Sequence, residues 1–221
     1  MKKSMLFAGI LAASSLFVTS CSKDDTEAPL ITLIGDNPVE IDMFDTYSDP
    51  GATAEDNEDG DLTNSITVDA SDVDNTLPGD YEVYYSVSDA AGNTGTATRG
   101  VHVHATPAAM ADTYDVFDTC GTGAAAQAFS YTQTVTAVNG TTFGYNKFAD
   151  YSGNTSIVST IDEEGVITLA SQTALDIGST LDDHRFSGTG SVTANGFKLN
   201  YTDENITTSA IAQCRAWFVR Q

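Results

Sequence analysis

The 221-residue sequence predicts an all-β protein made of two antiparallel units in series. Two observations carry this. Apolar residues recur at period two, and the runs are bounded by Gly, Asn, Asp and Pro. Helical periodicity is nearly absent. The roughly 200 residues after the first segment suffice for one or two domains.

Lys2 and Lys3 open the chain, and Met5 to Val18 is a charge-free run of apolar and small residues. At about 14 residues it is too short to cross a hydrocarbon core of roughly 30 Å as a stable helix. This is the layout of a secretory signal. Val18-Thr19-Ser20-Cys21 resembles the lipobox of bacterial lipoproteins, with valine where leucine is commoner. The resemblance implies removal of residues 1–20 and acylation of Cys21. Ser22-Lys23-Asp24-Asp25 then resembles the Lys/Asp-rich tag of Bacteroidetes lipoproteins displayed on the cell surface. The expected location is the outer membrane, lipid-anchored and facing the exterior, with residues 21–27 as an acidic tether. No later apolar run approaches the 18 residues of a membrane-spanning helix.

Residues 1–20 hold two lysines and no acid, so their loss takes the formal charge from −22 to about −24. Such an acidic, self-repelling surface favours solubility and lacks the basic footprint of a nucleic-acid binder. Three cysteines are present, and lipidation takes one. Cys120 and Cys214 remain, an even number in an oxidising compartment, and are expected to form a disulfide. The alternative is two buried free thiols. The bridge would close a loop of roughly 94 residues, worth about 4–5 kcal/mol in the chain-entropy model.

In the first unit Tyr81, Val83, Tyr85 and Val87 share one face of a strand, opposite Glu82, Tyr84, Ser86 and Ser88. Arg99 to His104 alternates likewise, with Val101 and Val103 inward. Gly92-Asn93 lies in the break between these strands, which should therefore pair as a hairpin. Leu30–Ile34, Val39–Met43 and Ser65–Val68 are further short strands, a spacing that suggests a sandwich.

Five blocks in order then carry a family resemblance: residues 28–35 (APLITLIG), 47–52 (YSDPGA), 56–63 (DNEDGDLT), 79–81 (GDY) and 87–93 (VSDAAGN). Together they resemble the Ig-like domain catalogued in an insecticidal crystal toxin and widespread in bacterial surface proteins. The resemblance implies a seven-stranded Ig-like β-sandwich over residues 28–104, used as a spacer or adhesion module. The segment has no Cys or Trp, so its core rests on Val, Ile, Leu and Tyr.

Ala105-Thr106-Pro107-Ala108-Ala109 is a short linker, since proline ends the preceding strand. From there to residue 221 a second pattern runs. Asn139-Gly140, Glu164-Gly165 and Asn195-Gly196 are hairpin signals, because Asn-Gly tolerates positive φ at both central positions. Between them lie strands at 129–138, 142–148, 156–161, 166–170, 186–192, 197–201 and 216–219. About eight strands form an antiparallel β-meander, either a sandwich or a flattened barrel, with Cys120 and Cys214 stapling its ends. It resembles the β-rich C-terminal domain of certain Bacteroidetes lipoproteins of unassigned function, and less specifically a lipocalin-like domain.

Candidate sites are few. Asp56, Glu58, Asp59 and Asp61 could offer calcium several of the six to eight oxygens it needs. An EF-hand register fails, because Gly60 at position six puts Glu55 first and Ile66 twelfth. The cluster reads better as a turn whose carboxylates cap backbone amides. His102 and His104 share a strand face and could hold zinc, but the nearby sequence supplies no third ligand. His184, beside Asp182, Asp183 and Arg185, sits in a polar connection. Gly121 to Ala126 lacks the βαβ setting of a dinucleotide loop, and no Gly-x-Ser-x-Gly elbow or phosphate loop occurs. No catalytic residue, metal or cofactor is therefore assigned. Trp217 and Phe218 are adjacent on a strand and must face opposite sides, which makes Trp217 the candidate ligand-binding ring. The expected function is non-enzymatic: an Ig-like spacer presenting the second unit to a glycan or protein partner. The alternative is a lipocalin-like carrier of a small apolar ligand.

Overall fold

The structure, a computed structural model, describes residues 24–121, 126–149, 157–174 and 183–221. Residues 1–20, Cys21, Tyr151, Asp182 and most of the Gly121-to-Ala126 loop lie outside the described residues.

The first unit has seven strands: β1 Leu30–Leu33, β2 Val39–Asp42, β3 Ala52–Asp56, β4 Gly60–Asp61, β5 Thr67–Asp69, β6 Gly79–Ser88 and β7 Thr94–His104. They form a three-stranded sheet, β1-β3-β4, and a four-stranded sheet, β2-β7-β6-β5. The expected alternation holds, since Val83, Tyr85, Val87, Val101 and Val103 are all buried. Each such side chain contributes roughly 1.5–3 kcal/mol of apolar burial. The β6–β7 hairpin pairs over its whole length, and β2 joins β7 in parallel. Strand β3 went unread in the sequence, because Ala52, Ala54 and Asp56 make a weak inward face.

Among the described residues Arg99 is one of the largest fully buried side chains, with no exposed surface. It lies inward by the same alternation as Val101 and Val103. Its guanidinium donates to the Ile34, Asp36 and Gly51 carbonyls and to the Tyr85 hydroxyl, and lies 3.4 Å from the Asp49 carboxylate. One cation thus ties β7 to both loops that follow β1 and precede β3.

The second unit has eight strands: β8 Asp112–Cys120, β9 Gln127–Asn139, β10 Thr142–Tyr145, β11 Ile157–Ile161, β12 Val166–Ala174, β13 His184–Thr193, β14 Gly196–Asn205 and β15 Ile211–Arg220. Each pairs antiparallel with the next, and β15 pairs back onto β8, so the meander closes into a barrel. The Glu164-Gly165 turn falls between strands as expected, while the first turn is Gly140-Thr141, with Asn139 the last residue of β9. The third turn is Ala194-Asn195, with Gly196 already in β14.

An eight-stranded barrel is just wide enough for side chains to fill its interior or to hold one small ligand. Here aromatic rings occupy it. Tyr114, Phe143, Tyr145, Phe148, Phe186, Phe197, Tyr201 and Phe218 are buried and mostly meet edge to face. Phe197 and Phe218 stack with centroids 4.2 Å apart. Gly188 and Gly190 on β13 let that strand lie close against the backbone of β14. A Cβ at Gly190 would stand 2.1 Å from the Lys198 carbonyl oxygen, and one at Gly188 would stand 2.3 Å from that of Asn200.

The connection between the units is packed. Ala105 and Met110 are buried, and the Ala105 amide donates to the Glu163 carbonyl. Arg220 lays its guanidinium 3.8 Å from the centre of the Phe44 ring and also donates to the Ala109 carbonyl.

Candidate functional site

Strand β15 turns Cys214, Ala216 and Phe218 inward and Arg215, Trp217 and Val219 outward. Strand β8 turns Tyr114, Val116 and Asp118 inward and Asp115, Phe117 and Thr119 outward. The pairing sets Trp217 directly opposite Phe117 on the outer wall. Directly opposed cross-strand residues have Cβ atoms roughly 4.5–5.5 Å apart, so the side chains are neighbours. They are 48% and 53% exposed. Lys198 lies opposite Trp217 on β14, and Ser130 lies opposite Phe117 on β9. Asn200 pairs with Arg215, whose Nε donates to its Oδ1 at 3.3 Å. Trp217 and Phe117 thus form a pair of exposed rings with polar neighbours on a solvent-facing wall. Rings of this kind offer a large apolar face with little conformational entropy to lose. Phe117 was not singled out in the sequence, although its alternation with Val116 and Tyr114 marks it as outward.

Cys120 and Cys214 are bonded, as expected, and sit opposite each other on the β8–β15 seam that closes the barrel. Beneath that seam Asp118 is buried and accepts a hydrogen bond from the Tyr201 hydroxyl. Burial holds the Asp118 carboxyl above the usual carboxylate range. Burial, reinforced by that carboxylate, pushes the Tyr201 phenol up.

The acidic turn divides into two roles. Asp61 accepts from the Thr63 amide where the short 3-10 turn Thr63–Ser65 begins; its hydrogen bonds to Thr63 hold it below the usual range. Asp59 accepts from the Ala90 amide at 2.6 Å, linking this turn to the β6–β7 hairpin. Asp56 accepts from the Glu58 and Asp59 amides. These are capping bonds of the kind the turn reading requires. The carboxylates that converge on Asp56, however, are not Glu58 and Asp61. They belong to Asp25 and Asp89, with one oxygen of each residue within 4.8 Å of the others.

The parallel pairing of β2 with β7 sets Glu40 opposite His102 and its carboxylate is hydrogen-bonded to His104, while Asp80 on β6 meets His102. Glu40, His102 and His104 each bring one donor atom within 4.8 Å of the others. The partner that the nearby sequence could not supply thus arrives from strand pairing, and both imidazoles are hydrogen-bonded to carboxylates. The hydrogen bond to Asp80 raises the His102 pKa. His184 is hydrogen-bonded to Asp203 and stacks near Phe186, as part of the barrel rim.

Residues 31–103 match the family described as "Bacterial surface protein, Ig-like domain". The seven-stranded first unit therefore carries the Ig-like identity that its sequence blocks imply. No curated protein matches the chain. Among solved structures, a lipoprotein from Bacteroides thetaiotaomicron aligns over 87% of this chain and 100% of its own, at 19% identity and a TM-score of 0.34. A Clostridium perfringens structure containing CBM51-2 and INT domains aligns over 77% of this chain and 29% of its own, at 17% identity and a TM-score of 0.28.

Proposed function

We propose that this chain is a non-enzymatic lipoprotein of the outer membrane, anchored through Cys21 and facing the exterior. In this reading the Ig-like unit is a spacer, and the barrel presents Trp217 and Phe117 to a glycan. The observation that carries it is the opposed, half-exposed ring pair on the closing seam. Sugar rings have apolar C–H faces that stack on aromatics, while Lys198, Asn200 and Ser130 can meet their hydroxyls. The net charge of −22 disfavours polyanions and points to neutral glycans. The ring-filled interior favours this reading over a carrier of a small apolar ligand.

A glycan array probed with wild type, Trp217→Ala and Phe117→Ala tests it. Binding to neutral glycans is expected, weakened tenfold or more by either substitution, which corresponds to about 1.4 kcal/mol. Binding indifferent to both substitutions, or an array silent throughout, would overturn the glycan reading. The anchor is tested separately: Cys21→Ser should be released or left unprocessed, and normal membrane retention would contradict it.

A further inference from the structure

We propose that Asp25, Asp56 and Asp89 form a calcium site that fastens the start of the Ig-like unit to its loops. Three segments distant in sequence meet here: the stretch before β1, the end of β3 and the β6–β7 turn. One carboxylate oxygen from each lies within 4.8 Å of the other two. Among the described residues none of the three is ion-paired to Lys, Arg or His. Three negative charges at this spacing repel one another, and the cost grows as water is excluded.

Asp56 is the decisive member. Only 6% of it is exposed, and its Oδ2 is engaged by the Glu58 and Asp59 amides at 2.9 and 3.0 Å. Its Oδ1 is buried with no hydrogen-bond partner. A buried carboxylate oxygen without a donor is destabilising unless something positive meets it. Within a carboxylate cluster, a cation is that partner.

The surroundings hold the other two acids in place. Asn93 donates from its backbone amide to Asp89 Oδ1 at 2.8 Å and from Nδ2 to Asp89 Oδ2 at 2.7 Å. The same Nδ2 lies 3.3 Å from the Asp25 carbonyl oxygen. Asp25 Oδ1 in turn accepts from the Glu27 amide. The donor set is all oxygen, which disfavours zinc. Loop-borne carboxylates suit the flexible coordination of calcium better than the strict octahedron of magnesium. This set replaces Glu58 and Asp61 as partners of Asp56. It does not depend on whether the barrel binds glycan.

The test is calorimetric titration and thermal unfolding of the purified full chain after chelation, with calcium chloride and, in parallel, magnesium chloride. One calcium per chain is expected, with a rise in Tm of roughly 5–10 °C at calcium about a hundredfold above Kd. Asp56→Asn should lose that rise. Asp25→Asn lies outside both sheets and should fold normally, yet it should weaken calcium at least tenfold. Asp61→Asn should leave binding unchanged. Absence of a calcium response, an equal response to magnesium, or full binding by Asp25→Asn would each overturn the site.

Discussion

At the scale of single residues, Arg99 shows how much one inward-facing cation can organise. Its guanidinium is sealed from water, and its ion-pair partner Asp49 is partly exposed. Removing the guanidinium leaves buried carbonyl acceptors and a partly buried carboxylate without their cation, at about 2–4 kcal/mol. Arg99→Met should therefore lower unfolding stability by that amount in urea titrations; a loss under about 1 kcal/mol would contradict the role. Alternation along β7 already places Arg99 inward in the sequence, but its partner Asp49 arrives from a loop some fifty residues earlier.

His102 supplies a pH signature at the same scale. Its folded pKa is raised by the hydrogen bond to Asp80. The stabilisation from this pair is thus complete below the unfolded value of about 6.5 and is lost as pH rises through the folded pKa. NMR titration of the imidazole should give a midpoint above about 6.5, and Asp80→Asn should bring it down. A midpoint at or below 6.5 in the wild type would contradict the geometry.

At the scale of elements, strong alternation was legible and weak alternation was not. β6, β7 and the barrel strands carry large apolar residues on one face, whereas β3 carries two alanines and an aspartate. Barrel closure left no local mark, because it depends on β15 meeting β8 about a hundred residues away. The cysteine pair was the one sequence feature that pointed to this seam. Reducing the bridge should cost about 4–5 kcal/mol in the chain-entropy model. Urea unfolding with and without reductant measures it, and equal midpoints would show that the seam does not depend on the disulfide. The candidate sites follow the same logic. Trp217 could be chosen from its strand, but Phe117, Asp25 and Asp89 become partners only through long-range pairing and loop convergence.

At the scale of the whole molecule, the two units share a packed junction through Ala105, Met110 and the Arg220–Phe44 contact. A spacer so joined would hold the barrel in a set orientation, so that one wall consistently faces outward. Trp217 is the only tryptophan in the chain, which makes its fluorescence a direct reporter of that wall. The decisive measurement is a fluorescence titration with a neutral polysaccharide selected on the array. Saturable change in Trp217 emission is expected, reduced at least tenfold in apparent affinity by Phe117→Ala. Polysaccharide binding that leaves the emission unchanged would place the contact elsewhere and contradict the proposed site.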